Sequence, residues 1–401
     1  MKCRTFGQTG FRPSALGFGC MRLPVLSPDD SSQIDEALAI SMIRYAIDHG
    51  VNYVDSAYGY HKGKSETVLA KALLYGYRDK VAVATKLPIY AMKEASEADR
   101  YFEEQLLRLN TSHIDFYLLH NVNSELWPKV KEWRLFDWAE RKKAGGKIGH
   151  FGFSFHDSLS CFKQVIDYYP GWDFCQVQYN YVDEHTQAGM EGVKYAADKG
   201  LGVVVMEPVR GGMLANAPTE GIKRMSDSAP VRRTPSDWAL QWVWNQPEVS
   251  LVLSGMSTMD HVIENVRSAD NSGPGSLNPE EVAFLRSLAE AYKGLLAVPC
   301  TNCAYCMPCP QGINIPDIFA LYNEAAGFER SEQRIKAGAT WYQRMPADRQ
   351  ASACAECGQC EEKCPQHISI REVLKDVHST LGAGPSEPGA AAPALVNALG
   401  T

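Results

Sequence analysis

Ile114-Asp115-Phe116-Tyr117-Leu118-Leu119-His120 is apolar at almost every step and ends on an imidazole. Upstream, Val81-Ala82-Val83-Ala84-Thr85-Lys86 has the same character and ends on an ammonium, and Val51-Asn52-Tyr53-Val54-Asp55 ends on a carboxylate. Near-continuous apolar runs, rather than alternation, mark strands covered on both faces, as in a parallel sheet. Further runs of this kind lie at 148–154, 174–178, 202–206 and 249–254, with a weaker one at 16–21. Helical periodicity fills the intervals at 36–49, 65–74, 97–109, 133–143, 159–168, 190–199, 235–245 and 258–269. Eight strand–helix units predict an α/β fold closed into a (β/α)8 TIM barrel, which usually takes ~250 residues. An open doubly wound sheet would alternate in the same way but should carry an early glycine fingerprint. Gly17-Phe18-Gly19 lacks the third glycine and opens no helix, so the closed barrel is the better reading.

The 401 residues exceed one barrel, and the 45% hydrophobic content is ordinary for a buried core. A net charge of −7 gives no electrostatic reason to bind nucleic acid or an anionic membrane. No apolar run is long enough to span a bilayer, and the start Met1-Lys2-Cys3-Arg4 has no signal-peptide core. A cytoplasmic protein is expected. Of twelve cysteines, Cys3, Cys20, Cys161 and Cys175 are scattered, and the other eight crowd after residue 299. The expected division is 1–295 for the barrel, 296–380 for the cysteine domain, and 381–401 for a flexible tail rich in Gly, Ala and Pro.

In a barrel the carboxyl ends of the strands gather at one face. That face would collect Asp55, Lys86 and His120, with Tyr60 in the loop after Asp55. A lysine near a phenol favours the phenolate and lowers the phenol's pKa, while a carboxylate holds the lysine charged. A tyrosine tuned this way can act as general acid near neutral pH. Residues 3–270 thereby resemble the aldo/keto reductase family. Its tetrad matches Asp55, Tyr60, Lys86 and His120. Ser65-Glu66, Gly146 to Ser154 and Gln176-Val177-Gln178-Tyr179-Asn180 match the surrounding motifs.

The resemblance implies NAD(P)H as cofactor and a small-molecule carbonyl or alcohol as substrate. Tyr60 would protonate the carbonyl oxygen, Lys86 and Asp55 would tune it, and His120 would orient and polarise the carbonyl. It also implies that Ser154 and Gln176 hold the nicotinamide carboxamide, with Met206 where an aromatic residue often stacks. Gly255 and Ser257 fall at the adenosine end, and Glu264 and Asn265 match the adenine-binding helix. Phe155 stands where many members have an asparagine, and Gly255-Met256-Ser257-Thr258 with His261 replace the usual cationic clamp, leaving NAD or NADP open. His49, His61 and His156 are read as surface or loop residues. Cys20, Cys161 and Cys175 are read as inert core thiols. Trp127 and Arg210 stand in loops near the expected pocket; each has an equal reading as packing or a loop cap.

The cysteine runs are Cys300-x2-Cys303-x2-Cys306-x2-Cys309-Pro310 and Cys354-x2-Cys357-x2-Cys360-x3-Cys364-Pro365. Three thiolates at two-residue gaps plus a fourth before proline suit a cubane cluster, the fourth reaching the other cluster. Residues 309–319 and 364–374 form an internal repeat with apolar residues at identical offsets, predicting two equivalent halves in which a cluster loop feeds a helix. The pattern resembles a two-cluster ferredoxin domain of the α-helical variety, and implies two [4Fe-4S] clusters. The first run spaces its last cysteine by two residues rather than three, so Cys309 is the less regular ligand. Two zinc sites are the alternative, although zinc ribbons use paired knuckles rather than triples. Three functions follow: a redox enzyme whose clusters exchange electrons with a ferredoxin or flavoprotein, an ordinary carbonyl reductase with structural clusters, or an electron-transfer or redox-sensing protein on a degenerate barrel. The complete tetrad argues against the third.

Overall fold

The fold was examined in a computed structural model, which describes residues 1–27, 30–217, 219–301, 303–327 and 331–382. The chain divides into two compact units, one of Met1–Val209 with Ser236–Pro279, the other of Arg210–Pro235 with the described residues from Glu280 on.

In the first unit eight parallel strands close on themselves in chain order. They are β1 (Leu16–Gly19), β2 (Tyr53–Asp55), β3 (Ala82–Leu87), β4 (Ile114–Val122), β5 (Ile148–Phe155), β6 (Phe174–Gln178), β7 (Gly202–Met206) and β8 (Leu251–Ser254). β1 closes the ring by pairing with both β2 and β8. The fold class read from the sequence is therefore the observed one, including the weak first strand.

Eight principal helices alternate with these strands: α1 (Glu36–Asp48), α2 (Ser65–Ala72), α3 (Glu97–Leu109), α4 (Leu135–Ala144), α5 (Leu159–Tyr168), α6 (Gly189–Asp198), α7 (Pro235–Trp244) and α8 (Met259–Asp270). Local chemistry sets several ends. Asp35 caps α1 by accepting from the Leu38 amide at 3.0 Å, and left-handed Asn110 stops α3. The helix expected over 133–143 is observed as α4, and a separate helix, Trp127–Glu132, precedes it, the two parted at Arg134 with φ 50°. Trp127 is buried there against Phe136 and Tyr168, which settles it as packing.

The amino end of the barrel is plugged by Phe6, fully buried and edge-on to Phe116 at 5.2 Å. Tyr53, Ala82 and Phe174, the first residues of their strands, belong to the same cluster. That end is closed by hydrocarbon, which leaves the opposite, carboxyl end for polar side chains.

The second unit is helical: α9 (Pro279–Gly294), α10 (Ile315–Tyr322), α11 (Glu332–Arg344) and α12 (Ile370–Leu381), with a short helix at Glu220–Asp227. The internal repeat folds as two equivalent pieces. Gly312 and His367, three residues after their Cys-Pro cysteines, both take positive φ, at 75° and 51°. The next helices begin at equivalent positions, Ile315 and Ile370, after caps of similar backbone angle. Ile313, Ile315 and Phe319 meet Ile368, Ile370 and Leu374 in one core. The helical stretch expected over 317–329 starts two residues earlier and loosens into a π-turn at Asn323–Gly327; residues 328–330 lie outside the described residues. Of the expected tail, Leu381 closes α12 and 383–401 lie outside the described residues. Arg210 is buried within this unit, with its guanidinium on Met213 Sδ and the Pro299 carbonyl, so it serves as a loop cap. Among the described residues no helix is long and apolar enough to cross a membrane.

Candidate active site and cluster-binding loops

β2, β3 and β4 end on Asp55, next to Leu87 at Lys86, and just before Val122 at His120–Asn121. Lys86 is 1% exposed, and its Nζ donates to Asp55 Oδ1 at 2.6 Å and to the Ser56 carbonyl at 2.7 Å. The same Nζ lies 5.0 Å from the centre of the Tyr60 ring. Tyr60 meets the His120 ring edge-to-face at 5.9 Å. Four groups separated by up to 65 positions in the chain thus share one rim.

A buried network supports Lys86 from behind. Gln105 Nε2 donates to the Lys86 carbonyl at 3.1 Å and to Glu66 Oε1 at 2.6 Å, and Glu66 also accepts from Thr85. Fixing the backbone on both sides of the lysine leaves its ammonium little freedom but the Asp55 pair.

Burial raises the Asp55 carboxyl, and Lys86 opposes that rise. Burial also depresses the His120 imidazole well below its usual range, helped by the Lys86 charge and by His156. His120 is therefore neutral, able to donate or accept one hydrogen bond without carrying charge. The Tyr60 phenol corrects the sequence-based expectation: it is pushed well up, first by burial and then by Asp55. A salt-bridged lysine presents the phenol with a nearly neutral pair, so its field no longer outweighs desolvation. The resting phenol is held protonated, as a proton donor must be.

On neighbouring strands, Ser154 of β5 stands in register with Gln176 of β6. Both are buried, and Ser154 Oγ accepts from the Asn121 amide at 2.8 Å. Gln176 Oε1 is buried without a hydrogen-bond partner. A buried amide oxygen left this way costs on the order of 1–3 kcal/mol, and a ligand amide would satisfy it. Ser154 and Gln176 thus fit a carboxamide-bearing cofactor. Met206 ends β7 in register with Gln178.

At the β8 end, Asn265 Nδ2 donates to Ser254 Oγ at 2.8 Å, and Ser236 Oγ donates to Glu264. Ser257 Oγ donates to the Arg22 carbonyl at 3.0 Å, and Gly255 is exposed. Arg22 side-chain carbons pass 3.4 Å from where a Gly255 Cβ would stand. The Arg22 side chain, from the segment after β1, therefore packs against the 255–258 loop.

Other contributors were not legible in the sequence. Tyr90 packs on His120 at 5.5 Å, and a Cβ on Gly59 would come within 2.9 Å of the Tyr90 hydroxyl, so the glycine makes room for that ring. Glu207 bears electrostatically on Tyr60. His61 and His156, read as surface or loop residues, lie in the segments after β2 and β5 and are buried there. His61 Nε2 accepts from the Leu23 amide at 3.1 Å and its Nδ1 meets the Ser31 carbonyl at 2.7 Å, tying the Tyr60 loop to the segment after β1. His49 is exposed and stacked on Tyr45. Cys20, Cys161 and Cys175 are buried, and burial raises each thiol.

In the second unit Cys354, Cys357 and Cys360 line one concavity together with Cys306 and Cys309 of the first run. The Cys306 thiol is also pushed up, first by burial and then by Cys303, Cys300, Cys364 and Cys360. Thiols that raise one another are crowded would-be anions, and a cationic iron centre relieves that repulsion. Thiols of the two runs therefore meet, as two cubane clusters that share ligands between the runs would require. Among the described residues no three His, Cys, Asp or Glu converge as ligands of one metal ion would.

Comparison with known proteins agrees with both halves. The model of the aldo/keto reductase family matches residues 15–290, and that of the 4Fe-4S dicluster domain matches 299–368. An uncharacterized oxidoreductase of Bacillus subtilis, YrpG, is 26% identical over 340 residues, spanning 71% of this chain and all of that protein. L-Galactose dehydrogenase of Arabidopsis thaliana is 26% identical, over 74% of this chain and 96% of its own. Among solved structures, the holo form of aldo-keto reductase AKR11C1 from Bacillus halodurans superposes with a TM-score of 0.60 at 28% identity, covering 73% of this chain and 97% of that one. The chain belongs to the aldo/keto reductase family, an oxidoreductase barrel followed by a 4Fe-4S dicluster domain.

Proposed function

We propose that the barrel interconverts a carbonyl and an alcohol with a nicotinamide cofactor, and that the clusters pass electrons to or from a protein partner such as a ferredoxin or flavoprotein. The observation that carries the reading is Lys86, held by Asp55 at 2.6 Å and facing the Tyr60 ring at 5.0 Å, with His120 beside it. When bound, reduced nicotinamide supplies a hydride to a carbonyl carbon. The chain's own residues do the rest. Neutral His120 hydrogen-bonds the carbonyl oxygen and fixes its direction. Tyr60, protonated at rest, gives its proton to that oxygen as negative charge develops there. Lys86 then faces the phenolate it leaves behind, and Asp55 keeps the ammonium in place. Ser154 and Gln176 hold the cofactor's carboxamide, while Met206, Gly255, Ser257, Glu264 and Asn265 are proposed to border the rest of the cofactor. Tyr90 and Glu207 border the substrate. The Arabidopsis relative acts on a sugar, which makes polyhydroxy aldehydes and lactols the first substrates to try.

Tyr60→Phe tests the barrel chemistry. Carbonyl reduction should fall by about 10²–10⁴-fold with nicotinamide binding almost unchanged; wild-type-like turnover would refute the assignment.

The two [4Fe-4S] clusters would supply one-electron transfer, held by Cys300, Cys303, Cys306 and Cys364 and by Cys354, Cys357, Cys360 and Cys309. Cys357→Ser separates relay from staple. The relay reading expects partner-dependent turnover to vanish while NAD(P)H-driven carbonyl reduction persists. Undiminished partner-dependent turnover in a variant that has lost the cluster would refute it.

A further inference from the structure

Asn121 has no counterpart among the motifs that tie this chain to its family, yet the structure builds it into the same rim. Along β4 and β5, Leu119 pairs with Phe153 and Val122 with Phe155. Two residues, His120 and Asn121, therefore stand opposite one, Ser154. This is a β-bulge, a device that re-aims side chains next to active sites. Asn121 takes φ 59° to make it, a conformation asparagine tolerates better than other side-chain-bearing residues. The bulge is pinned by the Asn121 amide on Ser154 Oγ at 2.8 Å.

Two amide oxygens here are buried without hydrogen-bond partners, Asn121 Oδ1 and Gln176 Oε1. They flank Ser154: the bulge sets Asn121 against it from β4, and strand register sets Gln176 against it from β6. Ser154 Oγ, already accepting from a backbone amide, keeps its own hydrogen to donate. Two acceptors and one donor are the complement of a primary carboxamide, which has two N–H hydrogens and one carbonyl oxygen. Phe155, next to that serine in sequence, is fully buried and packs on Phe162 at 5.0 Å, so it contributes nothing polar.

We propose that Asn121 is a cofactor-binding residue, its Oδ1 accepting one carboxamide N–H of the nicotinamide while Gln176 Oε1 accepts the other. The inference rests on the nicotinamide reading above. It assigns to the bulge after the catalytic histidine the amide that Phe155 cannot provide, and so gives the chain a carboxamide site drawn from three strands, β4, β5 and β6.

The test is calorimetric titration of the full chain and of Asn121→Gly. Glycine suits the positive φ and removes only the amide. Three probes are used: the oxidised dinucleotide (NAD⁺ or NADP⁺, whichever the wild type binds more tightly), its acetylpyridine analogue, in which a methyl replaces the carboxamide NH2, and the matching ADP-ribose, which lacks the ring. The wild type should prefer the dinucleotide to the analogue. Asn121→Gly should weaken the dinucleotide by about tenfold, the value of one hydrogen bond to a buried partner, shrink its preference over the analogue accordingly, and leave ADP-ribose within about twofold. Unchanged discrimination in the variant would overturn the role of Asn121 with the cofactor reading intact. Equal weakening of dinucleotide and ADP-ribose would overturn it too, since the loss would then be structural. A wild type that binds ADP-ribose no more weakly than the dinucleotide, or binds neither, would sink the nicotinamide reading and this inference with it.

Discussion

Lys86, His120 and His156 show how burial sets charge in the barrel. An ammonium survives at 1% exposure because Asp55 and the Ser56 carbonyl take its hydrogens, whereas desolvation by burial holds the two imidazoles neutral. His156 is depressed to about 4, against an ordinary 6.5. The unfolded chain therefore binds a proton at His156 between those values that the folded chain refuses, and stability must fall as pH drops through that window. Full linkage corresponds to roughly 3 kcal/mol. Denaturant titrations at pH 7 and pH 4 should show a smaller loss for His156→Gln than for the wild type; equal losses would mean the imidazole is protonated in the folded state. The Tyr60 phenol marks the limit of residue-by-residue reading. Pairing Lys86 with Tyr60 in sequence space suggests a lowered pKa, but the lysine is already paired with Asp55, and only coordinates show that the phenol meets the pair rather than the cation.

Elements were legible wherever one local signal decided them. The apolar runs ending on Asp55, Lys86 and His120 gave strands within a few residues of those observed, and α3 and α5 run as expected. Breaks that depend on a single backbone angle were not legible. Arg134 at φ 50° parts the unforeseen helix Trp127–Glu132 from α4, and Asn121 at φ 59° makes the bulge in β4. Neither residue type announces itself, since both angles are imposed by what the chain packs against. The cysteine repeat was legible because its apolar offsets are duplicated; both halves turn at the same position and start their helices in step. The irregular Cys309 lines one concavity with Cys306, Cys354, Cys357 and Cys360, and we propose it as a ligand of the second run's cluster. Cys309→Ser should accordingly disturb the cluster held by Cys354, Cys357 and Cys360, lowering iron from about eight toward about four per chain or leaving a three-iron centre. Full iron with an unchanged electron paramagnetic resonance spectrum would show that Cys309 is not a ligand.

At the scale of the whole molecule, pairings between distant segments carry what composition could not. Residues 210–235 share a compact unit with the chain from 280 on. Their helix, Glu220–Asp227, and α9 were not foreseen, because neither is part of the strand–helix rhythm that organises the barrel. Arg22 beside Gly255 and Tyr90 beside His120 likewise join loops far apart in sequence. The tetrad was foreseeable because the topology alone sends every strand's carboxyl end to one rim; its protonation states were not, because they depend on the pairing at that rim. We propose that carbonyl reduction happens there in a single two-electron step and does not pass through the clusters. The direct measurement is anaerobic single-turnover reduction of an aldehyde with nicotinamide cofactor deuterated at the transferring carbon. Deuterium is expected on the product's carbinol carbon, in wild type and in Cys357→Ser alike. Carbinol hydrogen drawn from solvent would contradict it.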